Sequence, residues 1–157
     1  MATSTPTPTQ SSNRGFWLVV GPLAAASAVL VALIFLNRPS AERASEFTAR
    51  DNLRTALVAA EAVREEEGTF AAATALQLRG VETDLLFIDP DQASNNSEVI
   101  SVFASGSVWA AAARAETGAC FWVRARPDRP TAFGTGTDCS GEAASTGPAG
   151  PEGWPSP

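Results

Sequence analysis

Residues 15–37, "GFWLVVGPLAAASAVLVALIFLN", carry no charged side chain, and no other stretch of the chain is both as long and as apolar. The 22 residues from Phe16 to Asn37 would form roughly 33 Å of helix at about 1.5 Å per residue, against a hydrocarbon core of about 30 Å. The hydrophobic region of a secretory signal is shorter, about 7–15 residues. Ala26-Ser27-Ala28 has the small residues of a signal cleavage site, but a cut there leaves "VLVALIFL" at the new terminus. Further on, Arg38-Pro39-Ser40-Ala41 puts proline just ahead of any cut, a poor position for it. The stretch is therefore expected to be a retained transmembrane helix over 16–37, with 1–15 as a disordered cytoplasmic tail or leader. Membrane lipid is then the first partner of the chain.

Composition bounds what lies on either side. "MATSTPTPTQSSNR" is rich in Ser, Thr, Pro and Gln and has one charged side chain, Arg14, so it buries too little to order itself. The closing "SGEAASTGPAGPEGWPSP" from Ser140 is rich in Gly, Pro and Ser, and 140–157 is expected to be a second disordered tail. Between them, 38–139 suffices for one small core. A formal charge of −6 with no basic stripe argues against nucleic acid as a partner.

The missing residue types exclude most chemistry. All 11 basic residues are Arg, and the chain has no His, Lys or Tyr. There is then no imidazole base or metal ligand, no Schiff-base amine and no phosphate-loop lysine. Two cysteines are too few for a structural zinc site. Carboxylate pairs remain, since glycoside hydrolysis requires only two. However, Glu65-Glu66-Glu67 closes an amphipathic stretch and reads as a solvated charge run. "GTGTDCSG", with Gly134 and Gly136, follows no strand–helix nucleotide fingerprint. No catalytic, cofactor-binding or metal-binding residue is assigned, and no enzyme is expected.

The region 40–67 reads as a helix. Ser40 after Pro39 is placed to cap it, and Gly68 to stop it. Phe47, Leu53, Leu57, Ala60 and Val63 approximate one apolar stripe, with charges on the other face. Five strand-like segments follow at 84–88, 98–104, 107–113, 119–125 and 131–133, separated by turn-rich pieces such as "SG", "ETG" and "RPDRP". A helix and a small antiparallel sheet over about 84–139 make an α+β fold. In "DPDQASNNSE", Asp89, Asp91, Asn95 and Glu98 could offer oxygens to calcium, but the EF-hand spacing and its glycine are absent, and a solvated connection is the simpler reading. "NNS" at 95–97 matches a glycosylation sequon too short to carry weight. Cys120 and Cys139 open the last major strand and close the domain. Outside a reducing cytosol their default state is a disulfide across the C-terminal hairpin; inside it they would stay unpaired.

At this point the chain resembles a family. "FLNR" closing the hydrophobic segment and "ARDNLRTALVAAEAVREEEGTF" look like the spine helix of type IV pilins and pseudopilins of actinobacterial type. "TGACFWVRA…TAFGTGTDCSG" is similar to their cysteine-bracketed C-terminal hairpin. The resemblance covers about residues 33–141. It implies a hydrophobic stalk, an amphipathic helix, and a small sheet held by a Cys120–Cys139 disulfide. It also implies a structural role beside other pilin or pseudopilin subunits in a type IV pilus or type II secretion-like system, outside the cytoplasm.

Two N-terminal features bear on that role. Arg14-Gly15-Phe16 fits a prepilin peptidase junction between Gly15 and Phe16, but the fifth residue after it is Val20, where family members carry Glu. Two classes of function follow: a minor pilin or pseudopilin that works by assembly, or a stand-alone, membrane-tethered extracytoplasmic binding domain that keeps the fold without polymerising. Arg14 precedes the anchor while Arg38, Arg43, Arg50 and Arg54 follow it, which by the positive-inside rule favours a cytoplasmic domain. The cysteine pair and the resemblance favour an extracytoplasmic one, and that orientation is adopted.

Overall fold

A computed structural model describes residues 14–154, with side chains from residue 40 onward. The chain divides into two compact units, Met1–Pro39 and Ser40–Pro157. The apolar stretch 16–37 belongs to the first, and its side chains lie outside the described residues, as does the junction at Gly15 and Phe16. Among the described residues no helix is long and apolar enough to cross a membrane.

The second unit is α+β, a helix packed on a five-stranded sheet. Helix α1 is assigned over Arg14–Glu67, so Ser40 lies inside it and does not cap a new helix. The helix stops where expected, at Gly68, whose φ of +76° suits a residue without Cβ. A 3-10 turn (Phe70–Ala72) and α2 (Ala75–Val81) follow. The strands are β1 (Leu86–Ile88), β2 (Val99–Ala104), β3 (Trp109–Arg114), β4 (Cys120–Arg126) and β5 (Arg129–Gly136), and α3 (Gly141–Thr146) comes last. In the sheet the strands lie in chain order.

The sheet departs from the expected antiparallel form at one edge. β2 to β5 form an antiparallel meander, whereas β1 pairs parallel to β2, with Phe87 beside Ile100. A parallel neighbour needs a return path, ordinarily a long crossover. Here β1 is only three residues long, so the connection 89–98 suffices. Buried Ser94 anchors it: its N–H donates to the Cys139 carbonyl at 2.8 Å, and its Oγ accepts from the Arg114 N–H at 3.0 Å. Arg79 of α2 donates through Nε and Nη2 to the Phe87 carbonyl, tying α2 to the short strand.

The buried stripe of α1 is Ala49, Leu53, Ala56, Ala60 and Val63, joined by Ala59. Phe47, expected in that stripe, is 63% exposed, and Leu57 is half-buried. The spacing of four, three, four and three residues is the helical period, but small side chains carry it. The sheet explains why. β3 reads Trp-Ala-Ala-Ala-Ala-Arg; Trp109, Ala111 and Ala113 face α1, and Ala110 and Ala112 face the opposite side, where Ala144 of α3 packs. Helices on both faces require small residues on a central strand, despite alanine's weak strand preference. Larger groups fill the flanks: Phe70, Phe87, Ile100, Phe121 and Val123.

Polar contacts fix the N-terminal end of this packed helix. Ser45 Oγ accepts the Glu116 N–H at 2.7 Å, and Asn52 Nδ2 donates to the Ser97 carbonyl at 2.8 Å. Arg50 lies 4.5 Å over the Phe121 ring and pairs with Glu46 at 3.3 Å. Its buried Nε has no hydrogen-bond partner, so the ring is what faces the desolvated cation.

These positions separate by substitution. Leu53→Ala should cost about 2–5 kcal/mol, as for a fully buried leucine. Phe47→Ala should change stability by no more than about 0.5 kcal/mol. Urea unfolding of both variants checks the assignment, and equal losses would contradict it.

Candidate functional site

The C-terminal residues from Ser140 do not behave as the disordered tail expected of them. α3 spans Gly141–Thr146, Gly150 pairs antiparallel with Phe133, and Trp154 packs against Phe121 and Phe133. Small residues, which suggested disorder, are here what allows close packing. Cys120, the first residue of β4, is bonded to Cys139, just before α3, with Cα atoms 5.5 Å apart. Both are buried. This is the expected disulfide.

Around the bond the segment from Asp138 to Gly147 is clamped to the sheet. Ser140 caps α3, its Oγ accepting the Ala143 N–H at 3.2 Å. Ser101 Oγ accepts the Gly141 N–H at 2.7 Å and donates to the Asp89 carbonyl at 3.1 Å. Trp122 Nε1 donates to the Asp138 carbonyl at 3.2 Å. The indole occupies a slot between Gly136 and Gly147, where a Cβ at either position would overlap the ring. Thus Gly136 of "GTGTDCSG" makes room for tryptophan.

At the far end of α3 the clamp becomes a cleft. Arg124 Nη1 donates to the carbonyls of Ser145 and Gly147 at 2.9 and 3.1 Å, satisfying acceptors that a helix end leaves open. Beyond it lies a hollow of about 250 Å³ lined by Arg124, Arg126, Arg129, Pro130, Ala132, Ala149 and Pro151. Arg124 and Arg126 stand two apart on β4, and Arg126 is the direct cross-strand partner of Arg129 after a register shift. Desolvation, and then the nearby Arg126 charge, lower the Arg124 pKa from its ordinary value. None of the three forms an ion pair; among the described residues the pairs are Arg50–Glu46 and Arg64–Glu61.

Of the residues weighed from sequence, the two cysteines are brought together. Glu65, Glu66 and Glu67 lie exposed at the end of α1. Asp89, Asp91, Asn95 and Glu98 are exposed along one connection, which Ser94 and Asn96 order by hydrogen bonds. Among the described residues no cluster of His, Cys, Asp and Glu side chains could hold a metal ion. The arginine cluster was missed. Its signal was legible as "RARPDR", arginines two apart on a strand and a third across the turn, but "RPDRP" was read only as a turn. No family model, curated protein or solved structure matches the chain.

Two substitutions test the clamp. Cys120→Ser should cost about 3 kcal/mol and leave the helical far-ultraviolet signal of the folded protein in place. Gly147→Ala should cost about 1–3 kcal/mol by forcing Trp122 from its slot. Thermal melts followed by circular dichroism check both, and an unchanged melt for either would contradict the packing described.

Proposed function

We propose that the chain is a pilin-like structural subunit, anchored by 16–37 with its folded unit outside the cytoplasm, that works by assembly and without catalysis. The observation carrying this reading is the domain half of α1 laid across a meander whose last strands are closed by Cys120–Cys139. That is the arrangement implied by the resemblance of "ARDNLRTALVAAEAVREEEGTF" and the cysteine-bracketed hairpin to pilins. The disulfide also supports an extracytoplasmic location, since a reducing cytosol disfavours such bonds.

Val20 narrows the role. If the chain is processed after Gly15, the new amine at Phe16 borders the bilayer without the carboxylate that pilins carry five residues in. In a filament of identical subunits each buried amine would lack an acidic partner, and an unpaired charge in hydrocarbon costs several kcal/mol. A minor subunit escapes this, because its amine pairs with the Glu of a different subunit below and no subunit above requires its own. The chain therefore joins a filament or pseudopilus as a minor component beside a Glu-bearing major pilin.

Mass spectrometry of the mature protein should find Phe16 at its N-terminus. Shearing of cells that co-express a Glu-bearing major pilin should release the protein with the filaments. Filaments built from this chain alone would refute the minor role. An uncleaved N-terminus with no release on shearing would instead favour the tethered, non-polymerising domain.

A further inference from the structure

We infer that the cleft at the β4–β5 turn binds a phosphate monoester, with Arg124, Arg126 and Arg129 receiving the phosphate and Pro130, Ala132, Ala149 and Pro151 receiving the small group that bears it. The inference does not depend on whether the chain assembles.

The first support is electrostatic. Cross-strand like charges in direct register destabilise a sheet, and Arg126 opposite Arg129 is such a pair. Arg124 adds a third guanidinium to the same hollow. The chain has formal charge −6 and 17 Asp and Glu side chains, yet among the described residues none lies within ion-pair distance of these three. Asp128 sits in the turn itself and Glu152 follows Pro151, and neither closes the gap. Repulsion of this kind is relieved by an anion from outside.

The second support is pre-organisation. Arg124 is held through Nη1 by the carbonyls at the end of α3, so one edge of its guanidinium is fixed before any ligand arrives. Arg126 is half-buried and Arg129 exposed, which leaves the cleft open on the turn side. The lowered pKa of Arg124 has the same origin, a desolvated cation beside another cation.

The chemistry of the anion follows from the donors. A carboxylate offers two oxygens and one charge, enough for one bidentate guanidinium. A phosphate monoester offers three terminal oxygens and between one and two charges near neutral pH, which suits several arginine forks. The side chains of Pro130, Ala132, Ala149 and Pro151 that form the wall carry no charge to read a second charged group, so the esterified moiety is small and neutral.

The test uses the full chain in a non-ionic detergent, titrated calorimetrically with glycerol 3-phosphate and, separately, with succinate. Saturable binding of glycerol 3-phosphate is expected, weakening as salt is raised, with succinate bound at least ten-fold more weakly. R126Q/R129Q should weaken glycerol 3-phosphate at least ten-fold without lowering the melting temperature, since it also removes the like-charge pair. R43Q, which removes an exposed arginine outside the cleft, should leave binding unchanged. If the double variant melts early, R129Q alone supplies the comparison, because its side chain is exposed. Absence of saturable binding overturns the inference, as does equal affinity for succinate, or equal loss in R43Q and the cleft variants.

Discussion

Helix α3 is six residues long, too short to persist by its own hydrogen bonds, and the Cys120–Cys139 bond is what keeps it on the sheet. Beside that bond, Ser101, Trp122 and Arg124 of the sheet hold the same segment through their own hydrogen bonds. Cys139 places Ser140 as a cap, Ser140 starts α3, and α3 covers Ala110 and Ala112. The carbonyls at its end then hold Arg124. Without the bond the outer face of β3 would be an open strip of alanine, with little area to draw the segment back. A loop of this size restricts the unfolded chain by about 3 kcal/mol, a large share of the net stability of a small domain.

The opposite face is held by different means. There α1 lies close to the sheet because both surfaces are built from small residues, and Leu53, Phe70, Trp109 and Phe121 fill the margins. Trp109 Nε1 donates to the Ala73 carbonyl at 3.2 Å, so the largest buried side chain also fixes the 3-10 turn that follows α1. The chain's end joins the two faces. After Gly150 pairs with Phe133, Trp154 reaches the α1 side, where Arg54 lies 5.1 Å over its ring and its own Nε1 donates to the Trp122 carbonyl. The edge of β5 is thereby partly covered, and Pro130 and Arg129 protect its start from pairing with another strand.

Much of this was legible in sequence, and the failures have physical causes. All five strands were located, four of them because each is an apolar or alanine-rich run between turn signals; of β5, Arg129–Gly136, only the centre 131–133 was legible, and the helix end at Gly68 was placed correctly. The cysteine pairing was expected from position on the premise of an extracytoplasmic domain, and from the resemblance to pilins. The stripe of α1 was legible at Leu53, Ala60 and Val63 and failed at Phe47, where hydrophobic size was weighed above spacing. Phe47 looks like a core residue, yet a sheet with alanine at its centre asks for alanine in return. The pairing of β1 depends on where a polar connection is anchored, and one buried serine, Ser94, decides that. Residues 140–154 were read as disordered because Gly, Pro and Ser normally signal it. Nothing in composition reports that Gly136 and Gly147 form a slot for Trp122. The arginine cluster went unnoticed because a turn and a charged pair across it share the same letters.

The disulfide, the slot and the cap are expected to open together before the α1 face does. Hydrogen exchange read by mass spectrometry, on the full chain with the disulfide intact and after reduction and thiol blocking, tests this most directly. Reduction should raise exchange across residues 137–150 and at Phe133, while residues 49–63 of α1 keep their protection. Equal protection of residues 137–150 in the two states would contradict the account.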